Sequence, residues 1–168
     1  MKITSSLVAV LSLTLLTGAA LAKGIDIPAK EPAVKLDVPD DWKPWETDRG
    51  IGAESPDKVI TIFFEVVDKK SGDESLKETQ EWLKDQKVQL DEKSQTKSDI
   101  EVGKIKSNLL KFDAKHDEWG PSVVGLILTP LGDGKRMLLT TYWLTKEGWD
   151  KNQPVVQKIL DSVTPTGK

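Results

Sequence analysis

The chain has 168 residues, no cysteine and a formal net charge of −3 at pH 7, with acidic and basic residues interspersed. Without cysteine it cannot form disulfides, thiolate nucleophiles or cysteine-rich metal sites, so its stability must come from an ordinary packed core. A mildly acidic, mixed surface makes nucleic acid and anionic membranes unsuitable partners. No reaction-specific motif is present, and no cofactor is predicted.

The N-terminal segment has the pattern of a signal peptide. Lys2 precedes an apolar run from Leu7 to Leu16, and Ala20-Leu21-Ala22 forms an A-x-A cleavage signal. Cleavage after Ala22 would leave a mature chain of 146 residues with a net charge of −4, because Lys2 is the one charged residue removed. This length suits a single domain. The pattern predicts export to the periplasm or beyond the cell.

Neither a lipid anchor nor a membrane-spanning segment is expected after cleavage. A lipoprotein anchor would require a cysteine at the cleavage point, and the sequence contains none. No segment after Ala22 approaches the roughly 20 apolar residues that a membrane-spanning helix needs. The mature chain is therefore expected to carry no integral membrane segment.

Composition divides the mature chain into a leader, one domain and a tail. Residues 23–33 contain two prolines and no apolar periodicity, which predicts a flexible leader. Alternation in VKLDV (Val34–Val38) predicts the first strand, and a second strand near Ile51 is expected to complete a hairpin with it. The domain is expected to span residues 34–163, followed by a frayed tail at residues 164–168.

Three apolar runs are predicted to be central strands, namely Val59–Val67, Val123–Leu131 and Met137–Leu144. In each run, apolar residues occupy both alternating faces, so neither face can lie in water along its length. The sheet therefore needs cover on both faces.

Two amphipathic helices can provide that cover. The first is predicted from Asp73 to about Lys87, with a buried stripe formed by Leu76, Thr79, Trp82 and Leu83. The second is predicted to begin near Asn152, with Pro154 in the first turn, where a missing N–H costs least.

Short connections that contain glycine set the direction of the later strands. Glu101–Lys104 and Leu131–Lys135 have the composition of hairpin turns, whereas parallel strands need crossovers of about a dozen residues. The sheet is therefore expected to be mainly antiparallel. The predicted fold class is α+β, an α/β/α sandwich in which one helix covers each face of the sheet.

This order of elements, with the VPDDW turn at Val38–Trp42 and the closing helix QKILDSV at Gln157–Val163, resembles the PsbP-like superfamily, which includes the DcrB-like bacterial periplasmic proteins. The resemblance covers about Val34 to Val163. It implies an α/β/α sandwich that binds other proteins or assists their assembly, and seldom catalyses. The chain departs from the DcrB-like pattern by lacking the lipid-attachment cysteine, and from cytoplasmic chaperone relatives by having a signal peptide.

The stretch FDAKHDEWGP (Phe112–Pro121) contains the only histidine of the sequence. Asp113, His116 and Glu118 could bind a metal or assist a hydrolase only if the loop folds back, because a metal site needs three or four convergent ligands. No G-x-S-x-G motif accompanies the histidine, and no catalytic residue is assigned. We interpret the stretch as a solvated connection between two strands.

The six tryptophans outnumber the three phenylalanines and the single tyrosine. Trp42 and Trp45 flank a Lys-Pro pair in the turn DWKPW, and exposed indoles are enriched in binding hot spots. These two are the predicted partner-binding residues, although Trp42 could instead close the open end of the sandwich. The tryptophans expected to pack against the sheet or under a helix are Trp82, Trp143 and Trp149.

The leading functional hypothesis is a non-enzymatic, exported binding or assembly-assisting module that contacts another envelope protein or an apolar segment. The alternative is a carboxylate- or metal-assisted hydrolase that uses Asp113, His116 and Glu118. A third possibility is metal storage or sensing without catalysis.

Overall fold

The computed structural model describes residues 22–166, without the side chains of residues 71–73, 146 and 150. The predicted signal peptide therefore lies, apart from Ala22, outside the described residues. The helices are α1 (Gly72–Asp85) and α2 (Lys146–Ser162). The strands are β1 (Ala22–Ile27), β2 (Val34–Pro39), β3 (Trp45–Glu46), β4 (Gly50–Glu54), β5 (Ile60–Asp68), β6 (Val88–Leu90), β7 (Thr96–Val102), β8 (Ile105–His116), β9 (Gly120–Pro130), β10 (Arg136–Thr145) and β11 (Thr164–Pro165). Among these residues, neither helix is long and apolar enough to cross a membrane.

Two antiparallel sheets organise these strands. The main sheet has the order β3-β4-β5-β10-β9-β8-β6, and β7 also pairs with β8. Strand β8 is long enough to hold both neighbours on one edge, with β7 along residues 105–111 and β6 along residues 114–116. A smaller sheet has the order β1-β2-β11. The predicted α+β class with a mainly antiparallel sheet is confirmed.

The central strands β5, β9 and β10 are apolar on both faces, as the sequence predicts. On one face they pack with the buried side chains of α2 and β2. On the other face they pack with Leu83 and the partly buried Leu76 and Trp82 of α1. One helix therefore covers each face, and the small sheet adds to the cover on the α2 side.

Helix α2 begins earlier than its proline suggests. The Thr145 hydroxyl accepts a hydrogen bond from the Gly148 N–H at 3.1 Å, which caps the helix at its N-terminus. Pro154 consequently lies inside the helix. The sequence had indicated a position in the first turn. Trp149 is thus a helical residue that faces the sheet, not a residue that precedes the helix. The prediction failed because a threonine cap competes with proline as a start signal.

Both ends of the described chain join the small sheet. Residues 22–27 pair with β2 along its whole length, and Thr164 and Pro165 pair with the start of β2. Ile25 and Ile27 alternate along β1, and both prolines of the expected leader follow that strand. The predictions of a leader up to residue 33 and of an unpaired tail are therefore wrong over these residues. The expected β2–β4 hairpin is also wrong, because β4 pairs with β3 and β5.

An ion pair connects α2 to the turn between β4 and β5. Lys151 donates to Asp57 at 2.5 Å, and the same carboxylate accepts from the Ser55 hydroxyl at 2.7 Å. These hydrogen bonds lower the pKa of Asp57 to about 2, and the one from Lys151 has the largest effect. The contact fixes the first half of α2 relative to the edge of the sheet.

The Asp57 contact predicts a pH-dependent contribution to stability. Because the folded-state pKa lies below the unfolded value of 3.8, the contribution is present above pH 4 and is lost as pH falls toward 2. Asp57→Asn should therefore lower the free energy of unfolding at pH 7, and the difference from the unsubstituted chain should shrink between about pH 4 and pH 2. Urea titrations at several pH values measure this. Asp99→Asn, an exposed carboxylate on β7, is the matched control and should show no such trend.

Candidate binding site between α2 and the sheet

A cavity of about 670 Å³ lies between α2 and the outer part of the main sheet. This volume is in the usual range for pockets that bind small ligands or side chains. The helix contributes residues spaced three and four apart, which lie on one face of α2. The apolar lining comes from Ile100, Leu109, Val123 and Ile127 of the sheet and from Trp149, Val156 and Leu160 of α2.

The cavity exists because the cover on this face of the sheet is incomplete. In β5, Ile60, Ile62 and Phe64 point to the α2 side and are fully buried. In β8, Leu109 points to the same side and is partly buried, whereas Lys111 and Asp113, further along the strand, are exposed. The small sheet and α2 thus cover the β5 side and leave the β8 side open.

Tyr142 lies at the inner end of the cavity, across Gly125 of the neighbouring strand. The two residues are paired in the β9–β10 register. A Cβ atom on Gly125 would come within 2.1 Å of the Tyr142 ring, so glycine is required for the ring to lie over this strand. The Trp149 ring stacks on Tyr142 from the helix side, with ring centroids 5.9 Å apart and an interplanar angle of 17°. The tyrosine is therefore held between a glycine and an indole.

Tyr142 is a buried residue that brings a hydroxyl to the cavity. The residue is 4% exposed, and this burial raises the pKa of the phenol to about 12, so the hydroxyl keeps its proton at physiological pH. It makes no hydrogen bond to any other described residue. Buried tyrosine hydroxyls normally have a partner. Because Tyr142 lines the cavity, water or a ligand inside the cavity can supply that partner.

Polar side chains surround the apolar part of the cavity. The carboxylates are Glu101, Asp113 and Asp161, the cation is Lys111, and the amides are Gln153 and Gln157. Gln157 donates to Asp161 at 2.8 Å. Neither Lys111 nor Asp113 forms a salt bridge within the part of the chain that the structure describes. The site can therefore hold an apolar group and offer polar contacts at its rim.

A second cavity, of about 480 Å³, lies on the opposite face beside α1. Arg49 reaches both Glu65 and Glu78 at 3.4 Å, so two of the three carboxylates in its lining are already paired with a cation. The cavity beside α2 offers more unpaired polar groups and a longer apolar lining, and is the stronger candidate.

The structure separates the three residues of the FDAKHDEWGP stretch. Asp113 points to the α2 side of β8, whereas His116, an odd number of residues away, points to the α1 side. Glu118 lies in the following turn and forms a salt bridge with Lys87 at 2.7 Å, which lowers the pKa of Glu118. The described residues contain no group of three or more potential metal ligands. The arrangement that the hydrolase alternative requires is not formed.

His116 is also not in a solvated loop. It is 7% exposed and ends β8. Its Nδ1 accepts hydrogen bonds from the N–H groups of Glu118 and Trp119 at 3.1 and 3.2 Å, and its ring stacks on Trp119 with centroids 4.2 Å apart. The interpretation as a solvated connection is wrong for this residue. His116 organises the β8–β9 turn.

The two tryptophans of the DWKPW turn have different environments. Trp42 is 2% exposed and belongs to the same core cluster as the buried residues of α2. It cannot offer an exposed indole to a partner. Trp45 is 41% exposed, the highest exposure of any large apolar side chain in the described residues, and its ring rests against Gly52 and the edge of Phe63. Trp45 stays a predicted partner contact.

Comparisons with known proteins identify the architecture. The solution structure of cyanobacterial PsbP from Synechocystis sp. PCC 6803 aligns with a TM-score of 0.58 and 7% sequence identity, over 89% of this chain and 95% of that one. The crystal structure of LpqN, involved in cell envelope biogenesis of Mycobacterium tuberculosis, aligns with a TM-score of 0.54 and 15% identity, over 88% and 91%. The fold is PsbP-like. No protein-family model and no curated protein matches the sequence.

The cavity in this PsbP-like domain was not predicted from the sequence, which singled out Asp113 and Trp149 only for other roles. Lys111 and Asp113 signal it weakly, as polar residues at alternate positions of a strand whose opposite face is apolar. Tyr142 and Gly125 meet only through the β9–β10 register, which composition does not give. His116 did have a signal, since Phe112, Ala114 and His116 continue one alternating face of β8.

The Trp42 and Trp45 environments predict losses of stability of different size on truncation. Trp42→Ala should lower the free energy of unfolding by about 3–5 kcal/mol, because it empties a large buried volume. Trp45→Ala should cost less than about 1.5 kcal/mol, since the ring loses one aromatic contact and partial burial. Urea denaturation followed by circular dichroism measures both. Equal losses for the two variants would contradict the assignment of Trp42 to the core.

His116→Ala should destabilise the PsbP-like domain without changing its metal content. Two backbone N–H groups lose their acceptor, which should lower the free energy of unfolding by about 1–3 kcal/mol. Lys115→Ala, an exposed neighbour on the same strand, is the control and should have little effect. Thermal melts and elemental analysis of the purified chains test this. A metal that copurifies with the unsubstituted chain and is lost from His116→Ala would contradict the structural role.

Proposed function

We propose that the chain is a non-enzymatic, exported module of the cell envelope that binds an apolar segment of another envelope protein in the cavity between α2 and the sheet. The observation that carries this proposal is the cavity itself, with its apolar lining and the unpartnered Tyr142 hydroxyl. A pocket of this kind with a few polar groups is the preferred location for ligand binding.

Two further observations support a place in the envelope. The N-terminal sequence has the order of a signal peptide, with a basic residue, an apolar run and an A-x-A site. The fold is shared with LpqN, a protein involved in cell envelope biogenesis. Fold alone does not assign a function, so the proposal rests on the cavity and takes its cellular location from the signal sequence.

A binding role also agrees with the chemistry of the cavity. Its titratable groups are exposed carboxylates and one lysine at the rim, and the buried tyrosine keeps its proton because burial raises its pKa to about 12. None of these groups is paired with a second group as nucleophile and base, which covalent or acid–base catalysis would require. The polar groups are arranged to contact a ligand, not to react with it.

Site-specific photocrosslinking in cells tests the proposal. A benzoylphenylalanine residue replacing Gln153, at the cavity rim, should form an adduct with one dominant envelope protein. The same residue replacing Lys158, an exposed α2 position that does not line the cavity, is the matched control. Mass spectrometry should locate the adduct in an apolar segment of the partner. The intact mass of the exported chain should correspond to a start at Lys23.

A cavity-filling variant makes the test decisive. Leu109→Trp adds volume at a partly buried wall of the cavity, so it should remove the Gln153 adduct while circular dichroism stays unchanged. Adducts of equal yield from Gln153 and Lys158, or no adduct from a folded and exported Gln153 derivative, would contradict binding in the cavity.

A further inference from the structure

The rim of the cavity carries an excess of negative charge. Glu101, Asp113 and Asp161 supply three carboxylates, and Lys111 supplies one ammonium, which leaves a net charge of −2 around the opening. Asp161 accepts a hydrogen bond from the neutral amide of Gln157, so its charge is not cancelled. Since Lys111 and Asp113 form no salt bridge within the described residues, these charges act on whatever enters. Such a rim favours a cationic group and disfavours a carboxylate or phosphate head group.

The polar contacts inside the cavity fit a peptide. The Tyr142 hydroxyl lines the cavity, can donate to an acceptor there and, with its raised pKa, stays a neutral donor. A backbone carbonyl is an acceptor that every peptide carries. Gln153 and Gln157 lie one turn apart on α2, and each amide can both donate to and accept from a peptide group. Gln153 has no hydrogen-bond partner among the described residues.

The size of the cavity limits how much of the segment enters. About 670 Å³ holds a few side chains, not a folded element, and apolar residues line it from both the sheet and α2. An extended segment can place apolar side chains in this space and keep its charged residues at the opening. A helix would need a long groove, because its apolar face extends over several turns.

We infer that the bound segment is an extended peptide with an apolar anchor and an adjacent basic residue, the anchor filling the cavity beneath α2 and the basic residue facing Asp113 and Asp161. This inference rests on the proposed function and specifies the chemistry of its ligand. Tyr142 donates to a backbone carbonyl of the anchor, and the carboxylates of the rim select the positive charge.

Calorimetric titration of the purified mature chain tests this specificity. Three probes are used. The first is an acetylated and amidated nine-residue peptide with a leucine-rich centre and one lysine, and the second has glutamate in place of that lysine. The third is laurate, an apolar anion without peptide groups. At low salt the lysine peptide should bind about threefold to tenfold more tightly than the glutamate peptide. The ratio of their dissociation constants should fall at high salt.

Variants assign the effect to individual groups. The double substitution Asp113→Asn and Asp161→Asn should bring the lysine-to-glutamate ratio close to one, whereas Asp99→Asn, an exposed carboxylate that does not line the cavity, should leave it unchanged. Tyr142→Phe should weaken both peptides about threefold to tenfold by removing one hydrogen bond and should leave their ratio unchanged.

The failures of the inference and of the proposed function are distinguishable. Equal binding of the two peptides, or tighter binding of laurate than of either, would overturn the inference while the Gln153 adduct still supports the proposed function. Loss of binding to every probe together with loss of the Gln153 adduct in cells would overturn both. Binding of the lysine peptide that Leu109→Trp does not weaken would show that the peptide binds elsewhere, and would also overturn the inference.

Discussion

The structure depends on one constraint, which is that the central strands of the main sheet are apolar on both faces. A strand such as β5 buries Ile60, Ile62 and Phe64 on one side and packs Phe63 on the other, so water must be excluded from both. One helix cannot do this. Helix α1 covers one face, and α2 with the small β1-β2-β11 sheet covers the other. The cavity beside α2 follows from how completely these elements cover the sheet.

The cover is complete over β5 and incomplete over β8, and this difference produces the cavity. Where the cover ends, the residues facing α2 change from isoleucine and phenylalanine to Lys111 and Asp113. Tyr142 lies near this boundary and needs Gly125 beneath it, because a Cβ there would overlap its ring. Its hydroxyl consequently faces a space that the fold leaves open. The position of Tyr142 at the cavity thus depends on the register of the strands and not on the loops.

Most of the fold could be predicted from the sequence because burial on two faces leaves a direct pattern of apolar residues. The strands β5, β9 and β10 and the buried stripe of α1 were found this way. Elements whose stability comes from partners were missed: β1 has two alternating isoleucines but pairs only because β2 has a free edge. The start of α2 depended on Thr145, whose capping role competes with the signal from Pro154.

The candidate site was less predictable than the fold, for a related physical reason. The sequence directed attention to clusters of chemical groups, so Asp113, His116 and Glu118 were considered together. In a strand, however, residues three apart point to opposite faces, and β8 continues through His116. Asp113 therefore belongs with Tyr142 and α2, which are distant in sequence and adjacent through the β8–β9 and β9–β10 registers.

The positions of the cavity and of Trp45 also limit how a partner can bind. Trp45 pairs with Gly52 and lies in the same row as Phe63, on the α1 side of the sheet. The cavity opens on the α2 side, at the opposite edge of the strand order. A short peptide that fills the cavity cannot also reach Trp45, since the whole sheet lies between them. A contact at Trp45 therefore requires a large partner that extends around the β3 edge, or a separate binding event. Substitutions in the cavity and at Trp45 therefore test the two proposed contacts separately.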